Sequence, residues 1–185
     1  VSDGAVASLY HICHTLLGPG DELITTDPTW NWPMAFARSV GATVTQIPIY
    51  GPEHGYRLAP DRVAAAIGPK TKLVAVTQMS NVLGTINDVR AVADLAHAAG
   101  ALVLVDGCQG AVHCAPDVQA LDCDFYVFTG HKLYGPTGIG GLYGKGAALE
   151  ALPPCRGGGE MSGTVYKGGR PGTGRMRRPE PGSNP

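Results

Sequence analysis

The position of Lys132 suggests chemistry more directly than that of any other residue in this sequence. Lys132 follows the run Phe-Tyr-Val-Phe at 125–128, which is typical of a buried strand, and it precedes the glycine-rich segment 135–144. An ammonium group at the end of a buried strand is partly desolvated, and desolvation makes the neutral amine available as a nucleophile. The position therefore predicts a lysine that forms an imine with a carbonyl group, and a lysine that snorkels to the surface is the structural alternative.

Further polar and aromatic residues stand directly after the predicted strands. In an open parallel sheet the ligand lies at the carboxyl ends of the strands, so side chains in these positions converge on one edge. They supply a carboxylate, two amides, a hydroxyl group, an imidazole and an indole. The residues are Trp30, Asn81, Asp106, Gln109, Thr129 and His131.

The first predicted helix opens with SDGA at residues 2–5, where the backbone N–H groups of Gly4 and Ala5 can bind an anion such as phosphate. These N–H groups, Lys132 and the side chains that follow the strands together could bind an aromatic aldehyde that carries a phosphate tail. Lys132 forms the imine, Asp106 keeps the pyridine nitrogen protonated, and the indole stacks on the ring. Pyridoxal 5'-phosphate is the cofactor of that description.

The elements that position these residues alternate regularly between helix and strand. Such alternation predicts an α/β domain with a mostly parallel sheet, and the nearly continuous apolar strands predict helices on both faces of that sheet. The composition changes near residue 155, because residues 156–185 hold nine glycines, four prolines and five arginines. We therefore expect a domain at 1–155 and a tail at 156–185. Helices are predicted in GAVASLYHICHTLLGPGDE, MAFARSVG, APDRVAAAI and DVRAVADLAHAAG, and strands in ELITT, ATVTQIPIY, TKLVAVTQ, ALVLVD and DFYVF.

The bulk composition excludes several classes of protein. Of the 185 residues 44% are hydrophobic and 16% are charged, and the net charge of −1 offers no attraction to nucleic acid or to an anionic membrane. No apolar run approaches the ~20 residues that span a bilayer. Five cysteines without a CxxC pair predict a reducing, cytoplasmic location, and Cys13 between His11 and His14 fits a packed helix face better than a metal site. A chain that begins with Val1 is expected to be a fragment.

Three segments carry a family resemblance: QMSNVLGT, LVDGCQGAVH and QALDCDFYVFTGHKLYGPTGIGGLYG. They closely resemble class V aminotransferase-fold enzymes, in particular cysteine desulfurases of the selenocysteine-lyase-like type, over about residues 71–161. The resemblance implies the large domain of a fold-type-I pyridoxal phosphate-dependent transferase. It also implies that Lys132 is the Schiff-base lysine and that Asp106 pairs with the pyridinium nitrogen, while Gln109 and Asn81 contact the phenolate oxygen or the ring.

The resemblance also implies how the phosphate group is bound. Thr129 and His131 are the matching contacts near the lysine. In the first loop, desulfurases usually have a threonine where this chain has Val6, so the N–H groups of Gly4 and Ala5 remain as donors there.

The implied reaction converts cysteine to alanine and passes the sulfur to an enzyme thiol and then to an acceptor protein, as in iron–sulfur cluster assembly. The persulfide cysteine and the arginine that binds the substrate carboxylate would lie beyond this chain. The segment RRPEPGSNP resembles one whose hydroxyl, here Ser183, reaches the cofactor phosphate of a neighbouring subunit, which implies a homodimer.

Trp30 stands where desulfurases usually have a histidine, and an indole stacks on the cofactor but cannot transfer a proton. A pyridoxal phosphate-dependent aminotransferase or amino-acid lyase is therefore the alternative enzyme. From another class, the chain is alternatively a non-catalytic, cofactor-free fragment.

Overall fold

The computed structural model describes residues 1–152, and a single mixed sheet organises them. Its strands are β1 (Glu22–Asp27), β2 (Thr43–Pro48), β3 (Thr71–Thr77), β4 (Leu102–Asp106), β5 (Phe125–Thr129) and β6 (Gly140–Gly144). The strand order is β2-β1-β3-β4-β5-β6, in which every neighbouring pair is parallel except the antiparallel pair β5–β6. The helices are α1 (Ala5–Leu16), α2 (Trp32–Ser39), α3 (Pro60–Ala66), α4 (Val89–Ala98), α5 (Gly110–His113), α6 (Val118–Leu121) and α7 (Gly146–Ala151).

Both faces of the sheet are buried, as the apolar strands predicted. On one face, Leu9 and Ile12 of α1 pack in a cluster with Phe125 of β5. On the other face, Val92 of α4 packs in a cluster with Val103 of β4. Alternate residues of each strand serve opposite faces, and each fully buried side chain of this kind contributes about 1.5–3 kcal/mol.

The glycine-rich segment after Lys132 contains a strand that the sequence did not predict. Residues 140–144 form β6 because glycine permits a close approach on both sides. A Cβ atom on Gly140 would lie 2.7 Å from the carbonyl oxygen of Phe128 and 2.8 Å from Cα of Gly4. The backbone of Ser2 also pairs with Gly140. The edge of the sheet is therefore joined to the start of α1.

Within residues 1–152, no group of three or more histidine, cysteine, aspartate or glutamate side chains is arranged to hold a metal ion. The described helices also include none that is long and apolar enough to cross a bilayer.

A cluster of charged residues lies at the amino-terminal edge of the sheet, at the start of β5. The buried carboxylate of Asp124 accepts the N–H of Val103 at 2.7 Å and contacts Nε2 of His97 at 2.8 Å. Nζ of Lys145 lies 3.3 Å from Asp124 and 2.6 Å from Asp122. A hydrogen bond from Lys145 lowers the pKa of Asp122. The cluster therefore joins α4, β4 and β5 to the segment that follows β6.

We expect Asp124→Ala to lower the free energy of unfolding by about 3 kcal/mol, because it leaves the N–H of Val103 and the ammonium of Lys145 without their buried partner. Asp94→Ala is the matched control, since Asp94 is exposed and its ion pair within residues 1–152 is with the exposed Arg90 on the same helix. Chemical denaturation of both variants measures the difference. Equal losses in the two variants would contradict a structural role for the Asp124 cluster.

Candidate active site

A cavity of about 510 Å³ lies at the carboxyl ends of β1, β3 and β4. This is the edge at which a parallel sheet collects the residues that follow its strands. Five residues predicted from the sequence line the cavity together, although they come from four separate segments. They are Trp30, Asn81, Asp106, Gln109 and Lys132.

Asp106 is the last residue of β4, between β3 and β5, and its side chain is only partly exposed. Its Oδ1 atom accepts the backbone N–H of Cys108 at 2.9 Å. Its carbonyl oxygen accepts the N–H of Gln78 at 3.0 Å. Both bonds restrict the carboxylate to the cavity side of the turn that follows β4, where it can neutralise a cation in a bound ligand.

Lys132 closes a 3₁₀ turn, Gly130–Lys132, that begins directly after β5. The Nζ atom lies 5.7 Å from the centroid of the Trp30 ring, which is within the range of a cation–π contact. The turn is held by the N–H groups of Leu133 and Gly135, which both donate to the carbonyl of Gly130. The amine and the indole therefore face each other within the same cavity.

Cys108 follows Asp106 in the turn after β4 and contributes to the lining of the cavity. Its thiol is buried, and burial raises its pKa to about 12. The nearby Asp106 carboxylate raises this pKa further, whereas the Lys132 ammonium and a backbone hydrogen bond from Thr129 lower it. The thiol is therefore protonated at neutral pH, and it acts as a small core side chain as expected.

The predicted phosphate contacts form a second group beside the cavity. Oγ1 of Thr129 lies 3.0 Å from Nδ1 of His131. A Cβ atom on Gly4 would lie 3.9 Å from the same Oγ1 atom, so the start of α1, where Ala5 is the first residue, lies next to the end of β5. None of these four residues lines the cavity, but Leu9 of α1 does.

Ser2 is a candidate that sequence reasoning missed. Its hydroxyl group donates to the carbonyl of Gly4 at 3.0 Å and accepts a hydrogen bond from Ser8 at 2.7 Å. A hydroxyl group is therefore present at the start of α1, whereas Val6 lies inside the helix. The available signal was the short run Ser-Asp-Gly, since serine is common just before a helix begins.

The outer rim of the cavity is apolar, which sequence reasoning also missed. Val82 is 80% exposed and Leu83 is 57% exposed on the loop after β3. Across the cavity, Tyr50 and Tyr56 meet edge to face with their ring centroids 5.5 Å apart. Exposed apolar residues between polar neighbours, as in the run SNVLG, were the available signal.

Two expectations concern residues outside 1–152. Ser183 and the predicted boundary between residues 155 and 156 both lie beyond the residues that the structure describes.

Comparison with known proteins identifies close relatives. The chain is 49% identical over 152 residues to a cysteine desulfurase of Dickeya dadantii, an alignment that covers 80% of this chain and 36% of that protein. The crystal structure of the cysteine desulfurase CsdA from Escherichia coli superimposes with a TM-score of 0.86 and 38% identity, covering 99% of this chain and 47% of that one. A variant of C-DES with glycine covalently linked to its PLP cofactor superimposes with a TM-score of 0.79 and 27% identity, covering 92% and 47%.

These relatives confirm the α/β fold-type-I prediction and the resemblance to cysteine desulfurases. The chain spans about a third of the length of the curated relatives that it matches. The family model for aminotransferase class-V matches residues 2–183, which is nearly the whole sequence. The chain therefore belongs to the class-V aminotransferase family.

Proposed function

We propose that this chain is the large, cofactor-binding domain of a pyridoxal 5'-phosphate-dependent enzyme of the cysteine desulfurase type. The observation that carries the proposal is the meeting of Lys132, Asp106 and Trp30 around one cavity at the carboxyl edge of the sheet. Relatives described as cysteine desulfurases support the reaction type.

The side chains of the site fit this cofactor. The cavity offers an amine for its aldehyde, a carboxylate for its ring nitrogen and an indole for its ring face. The close approach of Gly140 to Gly4 leaves the first N–H groups of α1 beside Thr129, and such groups suit a phosphate. When bound, pyridoxal phosphate supplies an electron sink for the bond that breaks at the α-carbon of an amino acid.

Lys132 and Asp106 have the central roles in the proposal. Lys132 would hold the cofactor through its aldehyde, and its amine would take the α-proton of the substrate. The negative charge of Asp106 would keep a proton on the ring nitrogen, and the backbone N–H of Cys108 fixes the orientation of this carboxylate. Trp30 stacks on the ring and excludes water from that side.

The remaining polar residues orient the cofactor. Gln109 and Asn81 line the same cavity, and they would contact the ring or its oxygen substituent. The hydroxyl groups and N–H groups at the start of α1 and at the end of β5 hold the phosphate. These phosphate contacts are Ser2, Gly4, Ala5, Thr129 and His131.

We extend the proposal to the substrate and partners of the complete enzyme. Cysteine is the proposed substrate, and alanine and enzyme-bound sulfur are the proposed products. A homodimer in which Ser183 reaches the phosphate of the second subunit, a sulfur-acceptor protein of iron–sulfur cluster assembly and a cytoplasmic location complete the proposal.

An aminotransferase or amino-acid lyase is the second candidate. Trp30 favours it, because the indole faces Nζ of Lys132 and cannot pass a proton to a departing sulfur atom. An aminotransferase needs no such group, since its lysine moves the proton between the two carbon atoms.

The first prediction concerns the covalent link. When the 185-residue chain is incubated with pyridoxal 5'-phosphate and reduced with borohydride, peptide mapping should find the pyridoxyl group on Lys132. Lys132→Ala should lose the label, whereas Lys72→Ala should keep it because Lys72 pairs with Asp21 away from the cavity. A label on Lys72 or Lys145 would contradict the assignment of Lys132. If the chain shows no visible absorption from bound cofactor, it is a cofactor-free module.

The second prediction concerns the cysteines of residues 1–152. Burial raises the pKa of Cys13 to about 12 and that of Cys123 to about 11, as it does for Cys108. Iodoacetamide reacts with the thiolate, so at pH 8 these three thiols should be protected in the folded chain. Cys114 is partly exposed and should be alkylated first.

The same raised pKa values define how alkylation of these thiols should depend on pH. The folded thiols stay protonated until the pH approaches 11 to 12, so labelling should remain slow up to that range. Rapid alkylation of Cys108 at pH 8, measured by mass spectrometry, would instead show a reactive thiol next to the candidate site and would refute its assignment to the core.

The third prediction separates the two enzyme candidates. In the complete enzyme, Trp30→His should change cofactor affinity little, since stacking beyond area burial is worth about 1 kcal/mol. It should raise sulfur release relative to amino transfer, within the roughly 10²–10⁴-fold that a positioned acid–base group supplies. Trp32→His is the matched control, because Trp32 stacks on Phe36 instead of lining the cavity. Unchanged sulfur release with intact amino transfer would favour the aminotransferase.

A further inference from the structure

The turn that follows β4 carries both Asp106 and Gln109, and its backbone is held from two sides. On the β5 side, the N–H of Gly107 donates to the carbonyl of Val127 at 2.8 Å. On the β3 side, the N–H of Gln78 donates to the carbonyl of Asp106 at 3.0 Å. These two bonds fix the start of the turn. The distance between the rest of the turn and the sheet depends on the side chains beneath it.

A buried polar pair lies beneath this turn, and its Tyr126 belongs with Val105 to the core cluster on the face of the sheet opposite the Asp106 side chain. The hydroxyl group of Tyr126 in β5 donates to Oε1 of Gln78 at 2.6 Å, and it lies 3.5 Å from the carbonyl of Gly107. Tyr126 is 2% exposed and Gln78 is 5% exposed. The pair bridges from β5 to β3 across the end of β4, over a sequence separation of 48 residues.

The two glycines of the turn rest directly on this pair. A Cβ atom on Gly107 would overlap the ring of Tyr126, and one on Gly110 would overlap Oε1 of Gln78. The backbone therefore lies on these two side chains with no room between them. Any change in their position moves the turn, and with it the side chains on its other face.

The pair is itself fixed in place. The N–H of Asn87 donates to the carbonyl of Gln78 at 2.9 Å, and the side-chain amide of Asn87 donates to the carbonyl of Thr77 at 2.8 Å. Burial raises the pKa of Tyr126, so its phenol remains a hydrogen-bond donor at neutral pH. Hydrogen bonding and packing both hold the pair in one arrangement.

We propose that Tyr126 and Gln78 are positioning residues for Asp106 and Gln109, which they place against the ring of the cofactor from the far side of the sheet. The inference rests on the proposed cofactor site, because Asp106 and Gln109 are assigned their roles there. Neither Tyr126 nor Gln78 lines the cavity, so their effect on the ligand passes through the turn.

The test compares binding with folding in the 185-residue chain. Tyr126→Phe keeps the ring but removes the hydrogen bond, and it leaves Oε1 of Gln78 buried without its donor, so we expect a lower melting temperature. We also expect the dissociation constant for pyridoxal 5'-phosphate to rise roughly tenfold, the effect of one buried hydrogen bond. The absorption maximum of the bound cofactor, and the pH at which it changes, should shift because Asp106 has moved relative to the ring.

A double variant separates positioning from stability. Tyr126→Phe combined with Gln78→Met replaces both polar partners by apolar groups of similar shape, so most of the lost stability should return. Without the Tyr126–Gln78 hydrogen bond the two side chains are no longer fixed to each other beneath the turn, so if positioning is the role of the pair, the weakened binding and the shifted spectrum remain in this stable variant. Where Tyr126→Phe alone does not fold, binding by the double variant distinguishes a positioning role from a purely structural one. Tyr143→Phe is the matched control, because Tyr143 is paired with Tyr126 on the neighbouring strand β6 and lies outside the cavity lining.

Two results would overturn the inference in distinguishable ways. If the wild-type chain binds the cofactor and both Tyr126 variants bind it with the same affinity and spectrum, the pair has only a structural role, even where the melting temperature falls. If the wild-type chain itself shows no binding, the proposed function fails first and the positioning role fails with it.

Discussion

Parallel pairing of β3, β4 and β5 is the constraint on which the candidate site depends. In the register of these strands Thr77 pairs with Asp106, and Asp106 pairs with Val127. β3 and β4 therefore end at the same level and β5 extends two residues further, to Thr129, so the loops that leave them begin at one edge. A shift of one residue in β4 would turn the Asp106 side chain to the opposite face of the sheet, because side chains alternate along a strand.

The two edges of the sheet use carboxylates in different ways. At the amino-terminal edge, the buried Asp124 has a histidine, a lysine and a backbone N–H as partners, so its charge is compensated within the protein. At the carboxyl edge, Asp106 accepts one backbone N–H and borders a cavity. A carboxylate with an open side is suited to a cationic ligand, whereas a fully paired one stabilises the fold.

Glycine supplies the close contacts that join these parts. Gly140 brings β6 against the start of α1, and Gly107 and Gly110 let the turn after β4 rest on Tyr126 and Gln78. At each of these three positions a Cβ atom would overlap its neighbours. The glycines near the candidate site thus serve packing as well as flexibility, and they bring backbone N–H groups near the residues that follow β4 and β5.

The sequence by itself determined most of the strand and helix pattern, the mostly parallel sheet and five of the residues that line the cavity, because hydrophobic periodicity and the position of a residue after its strand are local properties. Lys132, Asp106 and Trp30 were identified in this way. Only the tertiary structure decided that residues 140–144 form a strand, that the backbone of Ser2 pairs with Gly140, and that a tyrosine and a glutamine support the turn. These facts depend on contacts between residues far apart in the chain, such as the 48 positions from Gln78 to Tyr126. A glycine-rich run or a buried tyrosine carries no local sign of its partner, so only packing in three dimensions reveals it.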